Sequence, residues 1–418
     1  MFDKQEMSKM WDRFLLAFKK KDYPAITRKF ITVGFILLGL LCALPTVIIL
    51  WVLKPVFWLK VGKLKESRIG HLALNTDLFL RRRQLGIYPD GPYYCFICDP
   101  THLANRQLLI MWKRLLPICE SRILSLVFLG MRPLLKKTPF YQDLPYNADE
   151  DYEFKNGNSS LSFTPEEIEK GRKLLNRMNV DLDKDEFVCI FSRDEAYLKK
   201  TFPGKNWDYH NTRNCDINDL IETAKYLTEK GLVVIRVGSI VEKPINFSHK
   251  KIIDYPFTEH QSDFMDIFLH AHCKFLISAG NSGINSITEI FDRPILFVDI
   301  MEFGSNMPLS KHCLFTPKKY KYSNTNDYLH FEDAKKMGHY WDHLTSFGLE
   351  KENSSPEEIL ETAQEMLMRL EGRFKSSPED ERLIQAFNKL WAESGALGSS
   401  IKTPIGIAWL KKNQALYF

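Results

Sequence analysis

Residues 274–299 read KFLISAGNSGINSITEIFDRPILFVD, from Lys274 to Asp299. A run suited to a buried strand, Phe275-Leu276-Ile277-Ser278, enters the small-residue turn Ala279-Gly280-Asn281-Ser282-Gly283. Helical spacing follows from Ile284 to Phe291, and beyond Arg293-Pro294 a second apolar strand runs from Ile295 to Asp299. Strand, glycine turn, helix and strand form one crossover unit of a parallel sheet. The turn then lies at the carboxyl end of a strand, where open α/β sheets take their ligands. Gly280 and Gly283 let backbone come close to a ligand, and a helix start offers unpaired N–H groups to phosphate. The stretch predicts a site for a phosphorylated ligand. A tight turn that binds nothing is the plainer alternative.

Outward from this unit the same alternation recurs. Upstream, strands are expected at Glu186–Ser192, Leu232–Val237 and Lys251–Asp254, with helices at Ile217–Lys230 and Ser262–His272 between and after them. Earlier still, Trp58–Leu64 and Tyr93–Cys98 suit strands, followed by helices at Leu72–Arg83 and through Trp112 and Leu115. The polar stretch 143–162 suits a long loop, and Thr164-Pro165-Glu166-Glu167 carries cap, proline and acids in helix-opening order. Strands alternating with helices imply an α/β fold of two parallel-sheet lobes with a cleft between them. The expected division is a membrane segment at 1–58, a first lobe at 59–180 and a second at 181–418.

At 418 residues, with 44% hydrophobic and 26% charged residues, the chain has the make-up of an ordinary globular protein. A net charge of +5, much of it near the N-terminus, fits a membrane-proximal segment and not a nucleic-acid footprint. From Phe30 to Leu53 no residue is charged, which is long enough to cross a bilayer as a helix. Lys19, Lys20, Lys21, Arg28 and Lys29 precede this run, and Lys54, Lys60, Lys63, Lys65 and Arg68 follow it. Two basic flanks do not choose an orientation. A single span kinked at Pro45 and a re-entrant hairpin with both ends cytoplasmic both remain open.

The eight cysteines are scattered, as suits reduced thiols. Cys95 and Cys98 lack the second pair or histidines of a zinc site, and a strand would place them on opposite faces. Asp181, Asp183 and Asp185 precede a strand, the wrong end for a ligand, and lack the glycine and glutamate of a calcium loop. No metal site is expected. Signatures of P-loop, nucleophile-elbow and zincin chemistry are missing.

Several strands of the second lobe end in polar residues. After Glu186–Ser192 come Arg193, Asp194 and Tyr197; Arg236 closes Leu232–Val237; Ser278, Gly280, Asn281, Ser282 and Gly283 form the turn. Planar guanidinium groups suit phosphate, so Arg193 and Arg236 beside a helix start would make an anion cradle. Glu289 would take ribose hydroxyls.

RIGHLALNTD (68–77), ANRQLLIMWKR (104–114), FSRDEAYL (191–198) and DFMDIFLHAHCKFLISAGNSGINSITE (263–289) resemble the glycosyltransferases encoded in bacterial capsule and O-antigen gene clusters. The likeness spans most of residues 60–320, and the last block is more loosely similar to the donor half of two-Rossmann, GT-B type sugar transferases. It implies a nucleotide-sugar donor in the second lobe, an acceptor in the first and no obligatory metal. The expected protein is then a membrane-associated transferase on the cytoplasmic face of the inner membrane, with a lipid-linked or glycan acceptor and no cofactor. A first lobe of that kind would supply the base. His71 sits at a strand-to-helix turn and titrates near neutrality, with Asp77 as a second candidate. Asn105 and Arg106 at another turn would grip an acceptor phosphate. A nucleotide-sugar epimerase of the same fold, or a silent nucleotide-sugar-binding scaffold, are the rival readings. The apolar run argues against the epimerase, and product formation separates enzyme from scaffold.

Overall fold

The structure, a computed structural model, describes residues 23–146, 152–201, 208–300, 312–325, 327–336, 344–392 and 403–418. Lys19, Lys20 and Lys21 of the leading basic flank lie outside the described residues. The chain forms two compact units, Met1–Tyr146 and Asn147–Phe418.

In the first unit the apolar run is one helix, α1 (Tyr23–Leu53), with Pro45 inside it. The re-entrant hairpin does not form: one proline removes one hydrogen bond, and nothing beside it supplies a reversing turn. Length and composition would let this helix cross a membrane. Then follow β1 (Leu59–Lys63), α2 (Ile69–Gln84), β2 (Tyr93–Cys98), α3 (Arg106–Leu115), β3 (Ile118–Glu120) and α4 (Arg122–Leu135). The strands form a parallel sheet in the order β1-β2-β3. That order never reverses, so among the described residues the first unit lacks the switch point of a doubly wound lobe.

α1 lies along α4 at backbone contact. A Cβ on Gly39 would stand 1.9 Å from the Val127 carbonyl oxygen, and one on Gly130 2.0 Å from that of Ile36. Farther along, Val47 and Leu50 join Ile97, Phe128, Leu135 and Phe140 in one apolar cluster.

The second unit begins earlier than residue 181. Helix α5 (Pro165–Arg177) has the expected start, with a reciprocal capping box between Thr164 and Glu167. Its Leu175 enters the second unit's core, and Gly171 leaves room for the Phe268 ring, which would lie 2.1 Å from a Cβ there. The helix therefore belongs to the second unit, and the expected boundary after residue 180 moves back to residue 146.

Next come β4 (Phe187–Ser192), the short α6 (Ala196–Thr201), α7 (Ile221–Glu229), β5 (Val233–Arg236), β6 (Ile252–Asp254), α8 (Asp263–His272) and β7 (Leu276–Ala279). They are followed by α9 (Asn285–Glu289), β8 (Ile295–Ile300), β9 (Leu314–Pro317), the antiparallel pair β10 (Lys319–Tyr322) and β11 (Leu349–Glu352), and α10 (Pro356–Leu370). Among the described residues the main sheet has six parallel strands in the order β6-β5-β4-β7-β8-β9. β4, β5, β7 and β8 are buried at every position, as sheets covered on both faces require. Counted within the sheet this is 3-2-1-4-5-6, the doubly wound order, and the direction of winding reverses between β4 and β7.

Candidate active site

The reversal between β4 and β7 places two of the expected segments side by side. The Arg193 amide donates to the Ala279 carbonyl at 2.9 Å, so the residues just past both strands are neighbours. What comes close to Gly280, however, is the chain itself. Gly280 has φ +81°, and a Cβ would lie 2.3 Å from the Arg213 carbonyl oxygen. The segment 208–215 is tied across the strand ends: Ser192 Oγ donates to the Cys215 carbonyl at 2.8 Å, and the Cys215 amide to the Arg193 carbonyl at 3.0 Å. The expectation that Gly280 makes room for a ligand is corrected here, because it makes room for this segment.

The rest of the turn has structural work as well. Ser278 is buried and donates to Asn285 Oδ1 at 2.6 Å. Helix α9 has five residues, not the eight expected, and no side-chain cap, so the aligned dipoles behind the proposed phosphate site are few. Ser282 Oγ accepts weakly from the Ile284 amide at 3.5 Å, and Gly283 is exposed. Asn281 Oδ1 is buried without a hydrogen-bond partner among the described residues. Glu289 is buried in the last turn of α9.

The open volume lies on the other side of β4, at the carboxyl ends of β4 and β5. A cavity of about 510 Å³ is lined there, among the described residues, by Ser192, Asp194, Glu195, Asn211, Asn214, Cys215, Asp216, Arg236, Glu242, Lys243, Lys351 and Asn353, with Ile217. Of the sequence candidates, Asp194 and Arg236 line it; Arg193, Tyr197 and the glycine turn do not. Arg236 is nearly sealed, donates from Nη1 to the Lys243 carbonyl at 2.7 Å, and faces Asp254 at 3.2 Å. Among the described residues its Nε is buried without a partner, as is Asn353 Oδ1 on the same lining. An orphaned donor and acceptor on one cavity wall are what a polar ligand would satisfy. Asp194 is held in place by accepting from the Ala196 and Glu242 amides at 3.0 and 2.9 Å.

Positive charge gathers behind this wall. Arg193 Nη1 donates to Asn214 Oδ1 at 2.6 Å, and Lys318, buried, donates to the Thr212 carbonyl at 3.1 Å. Lys351 donates to the Asn211 and Asn214 carbonyls at 3.0 and 2.7 Å. Burial, then repulsion from Arg213, draws the Arg193 guanidinium down to about 10. Burial of its ammonium end, then Lys318, draws Lys351 down to about 8. Asp299, held by the Ser354 amide and hydroxyl at 2.8 Å each, is raised, chiefly by burial. Carbonyl dipoles as direct partners leave the Lys351 ammonium with uncompensated charge for an anion. Lys351 escaped the sequence reading, since β11 is a short polar strand that only its pairing with β10 brings here, and Lys318 is the single residue that links β9 to β10.

In the first unit His71 lies in the first turn of α2, past the carboxyl end of β1. Asn75 Nδ2 donates to the Pro145 carbonyl, which turns its Oδ1 toward His71 Nδ1 at 3.1 Å. A carboxamide oxygen there requires Nδ1 to carry the proton and leaves Nε2 as the proton acceptor. Burial lowers the His71 pKa, so the ring is neutral at neutral pH. Asp77 is different. It is fully buried and paired with the equally buried Arg81 at 2.5 Å, so it cannot meet an acceptor. Asn105 caps α3 by accepting from the Leu108 amide at 2.9 Å and is itself buried. Arg106 is exposed and paired with Glu120, which also binds Lys113 at 2.8 Å. The expected phosphate grip of Asn105 and Arg106 is thus a helix cap and a surface ion pair.

No family profile and no curated protein sequence matches the chain. Among solved structures, Escherichia coli ADP-heptose lipopolysaccharide heptosyltransferase II aligns over 62% of this chain and 90% of its own, at 13% identity and TM-score 0.38. A glycosyl transferase family 9 structure from Veillonella parvula aligns over 75% and 98%, at 11% identity and TM-score 0.42. E. coli heptosyltransferase WaaC with ADP aligns over 67% and 96%, at 12% identity and TM-score 0.30.

Proposed function

We propose that the chain is a membrane-associated glycosyltransferase of GT-B type, working on the cytoplasmic face of the inner membrane. It moves a sugar from a nucleotide-diphosphate donor to a lipid-linked or glycan acceptor. The observation that carries the reading is the doubly wound sheet of the second unit, with a polar cavity at the carboxyl ends of its first two strands. Mixed charge suits this ligand class. Carboxylates such as Asp194 and Glu242 accept from sugar hydroxyls, while Arg236 and Lys351 meet the diphosphate. Positive groups already in place lower the barrier by stabilising the diphosphate as it leaves. His71 Nε2 would take the proton from the acceptor hydroxyl, and Asn75 would keep the tautomer that allows it.

Calorimetric titration with several nucleoside diphosphates tests the donor site. A charge-assisted hydrogen bond is worth roughly 1.5–3 kcal/mol, so Arg236→Ala and Lys351→Met should each weaken binding by about one to two orders of magnitude. Arg193→Ala should weaken it less, since Arg193 acts through Asn214. Wild-type affinity in both of the first two variants would place the donor elsewhere.

The same titration carries a pH signature. Below its pKa of about 8 Lys351 is charged, and a bound diphosphate raises that pKa. Affinity should be highest above the second ionisation of the ligand's terminal phosphate, at roughly pH 6, and fall as pH rises through about 8. Lys351→Arg should abolish the fall. An unchanged pH profile in that variant would exclude Lys351 from ligand contact.

For His71, replacement by alanine should cut turnover roughly 10²–10⁴-fold with donor affinity nearly constant. Full turnover in His71→Ala would remove it from the chemistry.

A further inference from the structure

Helix α1 is apolar on all sides, yet among the described residues only one side meets protein. Gly39, Ala43, Val47 and Leu50 form a buried stripe at helical spacing against α4 and the sheet. The opposite side exposes Phe30, Leu37, Leu41, Leu44, Ile48 and Val52, the last 74% exposed. At the first turn of α4, Ile123 and Leu124 extend this surface. Gly39 faces Val127 in mid-α4, and Trp51 reaches Phe140, past the end of α4, with ring centroids 5.2 Å apart. The two helices therefore run the same way.

A spanning helix must be ringed by lipid across about 30 Å. Only residues 23–34 of α1 precede the stretch seated on α4, roughly 18 Å of helix. The remainder cannot leave α4 without exposing the Val47–Leu50 cluster. Both ends of α1 carry positive charge, Lys29 at one and Lys54 at the other. The Lys54 ammonium lies over the Trp51 and Trp58 rings at 4.9 and 5.0 Å, an arrangement suited to the headgroup layer. A helix with a basic flank at each end and protein along one side satisfies all of this by lying in the plane of one leaflet.

We propose that α1 and the first turn of α4 embed together in a single leaflet of an anionic phospholipid bilayer, so that the first unit is seated on one face of the membrane and the chain does not cross it. The proposal rests on the membrane association in the reading above and replaces the single span with a monotopic seat.

The full-length chain with an N-terminal epitope tag tests this in membrane vesicles of both orientations. The tag should be cut by protease in inverted vesicles and protected in right-side-out ones; cutting in right-side-out vesicles means a span and overturns the proposal. In phosphatidylethanolamine–phosphatidylglycerol vesicles, a fluorescent residue at Leu41 should be quenched more by lipids brominated near the headgroup than by those brominated at the chain ends. The reverse order also overturns it. The double variant Leu41→Lys, Ile48→Lys, altered only on the exposed side, should lose flotation with these vesicles while still binding nucleoside diphosphate. Retained flotation would show that this face is covered by something other than lipid, such as a second copy of the chain. Wild-type protein that does not float removes both the seat and the membrane part of the proposed function, and leaves the donor site to its own titration.

Discussion

Asp77→Ala is expected to lower stability by roughly 3–5 kcal/mol, because it removes one member of a buried ion pair with Arg81 in the core of the first unit. Both side chains are fully buried, and the pair lies at 2.5 Å. The measurement is the thermal midpoint of the full-length protein in detergent, alongside turnover. Loss of the midpoint together with activity marks a structural carboxylate. The double variant Asp77→Ala, Arg81→Met should regain much of the loss, since it removes both buried charges together. An unchanged midpoint with turnover abolished would return Asp77 to the chemistry and transfer suspicion away from His71.

Gly280→Val should be nearly as damaging, for two additive reasons. The residue holds φ +81°, which a β-branched side chain resists at a cost of roughly 1–3 kcal/mol. Its Cβ would also lie 2.3 Å from the Arg213 carbonyl oxygen, and overpacking of that kind costs about 1–3 kcal/mol more. The segment 208–215 would have to lift from the ends of β4 and β7, taking Asn211, Asn214 and Cys215 out of the cavity wall. Nucleoside-diphosphate binding should therefore be lost together with the thermal midpoint. Gly283→Val, at an exposed position without a left-handed backbone, is the contrasting variant and should change neither. If Gly283→Val abolishes binding and leaves the midpoint intact, the turn faces the ligand after all and the cavity is not the donor site.

Much of the second unit was legible because its strands are short apolar runs bounded by polar turns. Phe187–Ser192 and Ile295–Ile300 end within a residue of where the pattern places them. Helix α5 announced itself through Thr164 and Glu167. The unit boundary was not legible, since a helix's caps do not say which core receives Leu175. Nor was α4, which follows a three-residue strand directly and carries Pro133 in its last turn. At the site, Arg236 and Asp194 could be found by their place after a strand. The role of Gly280 was misread because a glycine turn looks the same whether ligand or backbone fills the space beside it. Lys351 and Asn353 could not be found, because their place depends on tertiary pairing and not on local pattern.

The contacts that close the cavity also bear on the order of assembly during synthesis. Lys351 meets the Asn211 and Asn214 carbonyls across 140 and 137 residues of chain. Strands β4 to β8 can pair once residue 300 has left the ribosome, but the last wall of the pocket must wait for the β10–β11 pair. Domains fold as they emerge, and distant pairings are the slowest to form. A nascent chain halted after β8 would hold a nearly complete sheet with an open, ligand-incompetent mouth. Donor binding would then report on emergence of the β10–β11 pair, and the early intermediate would expose the ends of β4 and β5 to chaperones for the time that about fifty further residues take to be made, a few seconds at ordinary elongation rates.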